Sequence, residues 1–138
     1  MVGEGIESTL SAACLDGRAE RMVAALSLNN LEGGAVRARD GALPIWNVQS
    51  DANRPPVLID QPGHVIVAID ADMKPLLNRR IQWVRGGKSG MGDVSGAERA
   101  RICATLAVQA WRRAGAWPAE AIRPPMGADF NDVLRGAA

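Results

Sequence analysis

Residues 65–72 read Val65-Ile66-Val67-Ala68-Ile69-Asp70-Ala71-Asp72, an unbroken apolar run that leads straight into two carboxylates. A continuous run rich in β-branched residues is the pattern of a strand buried on both faces, as in a parallel sheet. Open α/β sheets gather their ligands outside the carboxyl ends of the strands, which is where Asp70 and Asp72 fall. On an extended backbone, residues two apart face the same side, so both carboxylates can address one cation. Magnesium suits such a pair, because it takes oxygen donors and is commonly held by one or two carboxylates with waters and phosphates. Taken alone the string is unspecific, since two solvated turn aspartates give it equally well.

Downstream, Ser95 followed by Glu98 predicts a capping box, and Ile102, Leu106, Ala110 and Trp111 near helical spacing extend a helix from Gly96 to Ala114, stopped at Gly115. A short strand over 121–123 leads to Pro124-Pro125, a turn at 126–129 and a last helical turn over 131–134. Upstream, a helix is expected over Glu7–Leu15, with Gly17 as its stop signal. The apolar run Met22–Leu28, closed by Asn29 and Asn30, suits a buried strand and turn. Two segments resist assignment. Residues 31–62 are broken by glycines and prolines and are expected to be a loop-rich insertion, with a possible hairpin of arms 42–48 and 56–60. Residues 73–94 are expected to be a second loop, with Lys74, Arg79, Arg80, Arg85 and Lys88 ahead of its first acid, Asp93. Helices alternating with strands predict an α/β fold, a mostly parallel sheet covered on both faces.

The whole-chain figures bound the function. The 138 residues carry 16 Lys plus Arg against 15 Asp plus Glu, a net charge of +1, and 47% apolar residues. That is one globular domain able to bury a core without disulfides or structural metal. Cys14, Cys103 and a lone His64 form no zinc-type spacing, and both cysteines are expected to be small buried hydrophobes. No apolar run approaches the roughly 18–20 residues of a membrane span, and the first twenty residues lack a signal pattern, so a reducing cytoplasm is the default location. The near-neutral charge argues against a bulk polyanion binder but leaves room for a local basic patch. There is no tyrosine, which excludes a tyrosyl covalent intermediate within this chain.

Glu4, in Gly3-Glu4-Gly5, falls between a would-be first strand and the first helix, at the same sheet edge as Asp70 and Asp72. A third carboxylate there could complete a metal site or act as general acid or base. The blocks Glu4-Gly5-Ile6-Glu7, Ile69-Asp70-Ala71-Asp72 and Pro124-Pro125-Met126-Gly127-Ala128-Asp129-Phe130-Asn131-Asp132, in that order, together resemble the Toprim domain. They look closest to the Toprim domains of plasmid and phage primases and primase-helicases. The blocks bracket nearly the whole chain, which reads as a single Toprim domain over 1–138.

The resemblance implies a Rossmann-like sheet of about four parallel strands with helices on both faces, here with two loop insertions. It implies Mg2+ (or Mn2+) held by Asp70 and Asp72, with Glu4 as the acid/base glutamate and Asp129 and Asp132 as auxiliary acids. For a primase, the reaction is RNA primer synthesis from nucleoside triphosphates on single-stranded DNA, with helicase or other primase domains elsewhere in the parent polypeptide. Only three residues precede Glu4, fewer than a central strand of about five needs, so the chain is expected to be one piece of a longer polypeptide. The basic segment Lys74, Arg79, Arg80, Arg85 and Lys88 follows the acidic pair, where a template strand or triphosphate would pass. Its alternative is a solvated loop. Trp83 within it is the best of four tryptophans for base stacking, with core packing as its alternative. Trp111 is expected in the core, and Trp46 and Trp117 are expected to close loops over the sheet. Gly86-Gly87-Lys88-Ser89 is not a P-loop, because position 82 is Gln82 rather than glycine. A metal-dependent Toprim nuclease and a non-catalytic interaction module remain alternatives to the primase.

Overall fold

The apolar run around residue 67 sits at the centre of the molecule. The computed structural model describes residues 1–57, 59–60, 62–77, 81–85 and 87–136. In chain order its first elements are β1 (Val2–Gly3), α1 (Ile6–Asp16), β2 (Val23–Ala24), α2 (Leu28–Glu32), β3 (Gly34–Ala35), β4 (Leu43–Pro44) and β5 (Ser50–Asp51). There follow β6 (Val65–Ala68), β7 (Ile81–Arg85), β8 (Lys88–Met91), α3 (Gly96–Arg113), β9 (Ala119–Ile122) and α4 (Phe130–Leu134).

The main sheet has the order β2-β1-β6-β9, and every pairing in it is parallel. Alternate residues of the central strand serve opposite faces, as strand geometry requires. Val65, Val67 and Ile69 pack with Leu31 of α2 and with Cys103, Ala107 and Trp111 of α3. Ile66 and Ala68 pack instead with Ala12 and Ala13 of α1 and Phe130 of α4. The result is a Rossmann-like layer of sheet between two layers of helices, as the sequence leads one to expect.

Trp111 is fully buried and donates its indole N–H to the Leu31 carbonyl at 2.9 Å, tying α3 to α2. The capping box of α3 is present, with Ser95 accepting from the Glu98 N–H. Gly17 ends α1 in the left-handed region at φ 70°, where a glycine carries no Cβ penalty. Among the described residues no helix is long and apolar enough to cross a membrane.

Several sequence expectations are corrected. The apolar run Met22–Leu28 is a strand only at β2. Leu26 turns the chain at φ 63°, and Ser27 then caps α2 by accepting from the Asn30 N–H, so Leu28 and Leu31 belong to a helix. Among the described residues, 42–48 and 56–60 do not pair as the possible hairpin. β4 pairs in parallel with β7, and β5 pairs antiparallel with β3. Ile81–Arg85 and Lys88–Met91 of the supposed second loop pair as the antiparallel strands β7 and β8, edged by β4 in a separate three-stranded sheet. The strand expected over 121–123 runs instead from Ala119 to Ile122.

α1 is a helix as expected, but it presents the other face. Thr9, Ser11, Ala12 and Ala13 are buried, whereas Leu10, Cys14 and Leu15 are exposed. A close approach explains this, because a Cβ on Gly3 would collide with the Thr9 hydroxyl. Only small residues fit on the side of α1 that faces the sheet. Cys14 is therefore not buried, while Cys103 is.

Candidate functional site

Register brings the first and second sequence blocks together. In the pairing of β1 with β6, Val2 stands opposite Val67 and Gly3 opposite Ala68. Glu4 and Ile69 are the next residues beyond that pairing, Asp70 follows, and the Asp70 charge acts on Glu4. The third block closes over the same rim. Ala71 N–H donates to the Ala128 carbonyl at 3.1 Å, and Gly127 N–H donates back to the Ala71 carbonyl at 3.2 Å. Gly127 adopts φ 85° in this turn, a conformation that favours glycine.

Each carboxylate is held by the start of a helix. Glu4 accepts from the backbone N–H of Leu28, the first residue of α2, and its own carbonyl accepts from Leu26 N–H at 2.8 Å. Leu26 is in the left-handed region, which costs a non-glycine residue about 1 kcal/mol or more, and that strained turn delivers the start of α2 to Glu4. Asp70 accepts from the Ser8 hydroxyl in the first turn of α1 and from the Phe130 N–H of α4 at 3.4 Å. Asp70 is half-buried and Asp72 is exposed. Strand pairing ends at Ile69, whose N–H donates to the Ile122 carbonyl, and the backbone bends beyond Asp70. The two aspartates are thus unequal rather than twin ligands on one extended face.

Burial, with neighbouring negative charge, raises the pKa of Glu4 and of Asp70. Burial pushes Glu4 up, and the neighbouring Asp70 charge pushes it further, while Arg99 and the Leu28 N–H pull it down. Burial likewise raises Asp70, the Ser8 hydroxyl and Phe130 N–H oppose that, and the charges of Asp129 and Asp72 add to it. These effects link Glu4, Asp70, Asp72 and Asp129 in one electrostatic neighbourhood. Among the described residues no three acidic, histidine or cysteine side chains are close enough together to form a metal cage. The donor set fits magnesium held by one or two carboxylates, with water and substrate phosphate completing the shell.

Asp129 and Asp132 have a structural task. They form the capping box of α4, with Asp132 N–H donating to the Asp129 carboxylate at 2.7 Å and Asp129 N–H donating to Asp132 at 3.4 Å. The basic segment is divided. Lys74 is exposed, and its carbonyl accepts from Arg99 at 3.1 Å. Arg79 and Arg80 lie outside the described residues, as does the side chain of Arg85. Lys88 is exposed, opposite Arg85 at the tip of the β7–β8 hairpin. Trp83 lies across Gly90 on that hairpin and packs against the core under the second sheet. Trp111 is in the core, whereas Trp46 and Trp117 are exposed rather than closing loops over the sheet, and the Arg112 guanidinium lies 6.0 Å from the Trp117 ring.

Two residues of this neighbourhood escape sequence reasoning. Glu32, at the end of α2, is raised by burial, and one of its carboxylate oxygens is buried without a hydrogen-bond partner among the described residues. The Cys103 thiol donates to Glu32, and burial followed by the Glu32 charge raises that thiol's pKa. Arg99, one helical turn before Cys103, is the cation that acts on both Glu4 and Glu32. The spacing of Arg99 and Cys103 on one helix face was a usable signal, but nothing local marks Glu32. Comparison with protein-family models, with curated proteins and with solved structures finds no match to this chain.

Proposed function

We propose that this chain is a Toprim-type catalytic domain that carries out magnesium-dependent nucleotidyl transfer, making RNA primers on single-stranded DNA from nucleoside triphosphates as part of a primase. One observation carries the proposal. Glu4 and Asp70 leave adjacent parallel strands at neighbouring positions, and the closing block is hydrogen-bonded to the same rim.

Asp70 and Asp72 would hold Mg2+ (or Mn2+). Bound there, the metal supplies charge neutralisation at the phosphorus under attack. Ser8 and Phe130 N–H fix the direction of the Asp70 carboxylate, so the ligand is oriented before substrate arrives. Glu4, with its pKa raised by burial and by Asp70, is a proton acceptor and donor closer to neutral pH than an ordinary carboxylate, which suits general acid/base work on an attacking hydroxyl. The Leu28 N–H holds it by a hydrogen bond, and the Arg99 charge favours its ionised form. Lys74 and Lys88, with Arg79, Arg80 and Arg85, would contact the phosphates of template or triphosphate.

The test is incubation of the chain with labelled single-stranded DNA and magnesium, with and without nucleoside triphosphates. Short RNA products that vanish with chelator support the proposal. Shortening of the DNA without nucleotides would instead identify a Toprim nuclease built on the same acids. No reaction, together with no magnesium-induced amide shifts around Asp70, would leave a non-catalytic module and overturn the proposal.

A further inference from the structure

Next to the acidic rim, between the carboxyl edge of the sheet and the first turns of α3, is a cavity of about 400 Å³. Ala71 and Ala121 line it from the sheet side, and Ala97 and Ala100 line it from α3. Ala100 is buried, while Arg123 and Met126 are exposed at its edge beside Pro124. The space exists because four facing positions contribute a single methyl group each. It is also held open. Gly96 packs directly on the Met73 carbonyl, and Arg99 bonds the Lys74 carbonyl, so the start of α3 is pinned to the segment that leaves Asp72.

The volume is in the range of about 300–1,000 Å³ typical of small-molecule sites. Methyl groups, a proline ring and a thioether suit a flat, weakly polar ring, and methionine sulfur makes favourable contacts with aromatic systems. Arg123 makes no ion pair or side-chain hydrogen bond with any other described residue. A guanidinium in that state is a ready partner for phosphate. Ala71, which lines the cavity, stands between Asp70 and Asp72, so a phosphate leaving the cavity meets the acidic pair.

We propose that this cavity binds the base and sugar of a nucleotide, with Arg123 on its phosphate. The choice of a nucleotide over other planar anions rests on the phosphoryl-transfer proposal, but the test does not use that reaction. AMP, adenosine and inorganic phosphate are titrated into the chain in excess chelator, and amide shifts and affinities are recorded. AMP is expected to shift Ala97, Ala100, Ala121 and Arg123. Ala97→Leu, at a half-exposed position, is expected to weaken AMP about tenfold or more with unchanged melting. Arg123→Gln is expected to weaken AMP by about tenfold and adenosine hardly at all.

ATP and a phosphorylated trinucleotide are then compared, and the tighter ligand identifies whether a free or a strand-end nucleotide is the occupant. AMP shifts confined to other surfaces, or equal AMP affinity in wild type and Arg123→Gln, would overturn the inference while leaving magnesium-dependent transfer intact. Binding as described with no transfer activity would do the reverse.

Discussion

The two ends of the main sheet carry acids under opposite conditions. At the amino end, Arg18 bonds Asp16 at 2.6 Å and Glu120 at 2.9 Å, and His64 lies 3.1 Å from Glu120. Hydrogen bonding to Arg18 holds the Asp16 carboxyl below the usual range. At the carboxyl end, burial raises both Glu4 and Asp70, with the Asp70 charge adding to Glu4 and the charges of Asp129 and Asp72 adding to Asp70. One end is neutralised by its own side chains; the other concentrates negative charge on a rim built by three separate segments. Acids held above their ordinary pKa where helix starts converge are candidates for a functional site, and that contrast, rather than the number of acids, is why the proposal is placed at this end.

The largest expected effect separates the two ends by activity. Asp70→Asn should reduce magnesium-dependent transfer by about 100-fold or more, whereas Glu120→Gln should leave it within about twofold, as read from steady-state rates. Equal losses would erase the distinction.

Next comes pH. For Glu4 and Asp70 the folded state holds protons more tightly than the unfolded chain, so their stabilisation is present below about pH 4 and is lost as pH rises through their raised values. Asp16 behaves oppositely, its stabilisation being present above about pH 4 and lost as pH falls through its depressed value. Melting curves without divalent ions should therefore show the decline with rising pH above about 4 diminish in Glu4→Gln and Asp70→Asn, and the decline with falling pH diminish in Asp16→Asn. Magnesium at pH 8 should raise the midpoint of wild type but not of Asp70→Asn.

A smaller effect is expected at Glu32. Glu32→Gln removes a buried charge that repels Glu4 and should raise stability at pH 8 by about 1 kcal/mol, measured by denaturant unfolding. The smallest belongs to the amino end, where Arg18→Gln should change melting little and lose its effect in high salt, because the pair is solvent-exposed.

The elements legible in the sequence are those whose signal is local and long. The Val65–Ile69 run, the Ser95–Glu98 box with its apolar periodicity, and Gly17 as a stop all stand in the structure. Two-residue strands such as β3, β4 and β5 have no period to detect, and their partners lie far along the chain. α2 was legible in principle, with Ser27 before it and Gly33 after it, but the apolar run leading into it looks like a strand. For the site, the placement of Glu4 and Asp70 at one edge was legible from strand order. The bend that separates Asp72 from Asp70, and the burial of Glu32 beneath α3, come from packing between distant segments and have no local signature.

The hydrogen bond from Phe130 to Asp70 spans sixty positions of the chain. During synthesis, strands β1, β2 and β6 leave the ribosome well before residues 127–130 do. The early chain can present its acids without the clasp that aims Asp70, so the geometry of the acidic rim is completed late, after the scaffold is already laid down.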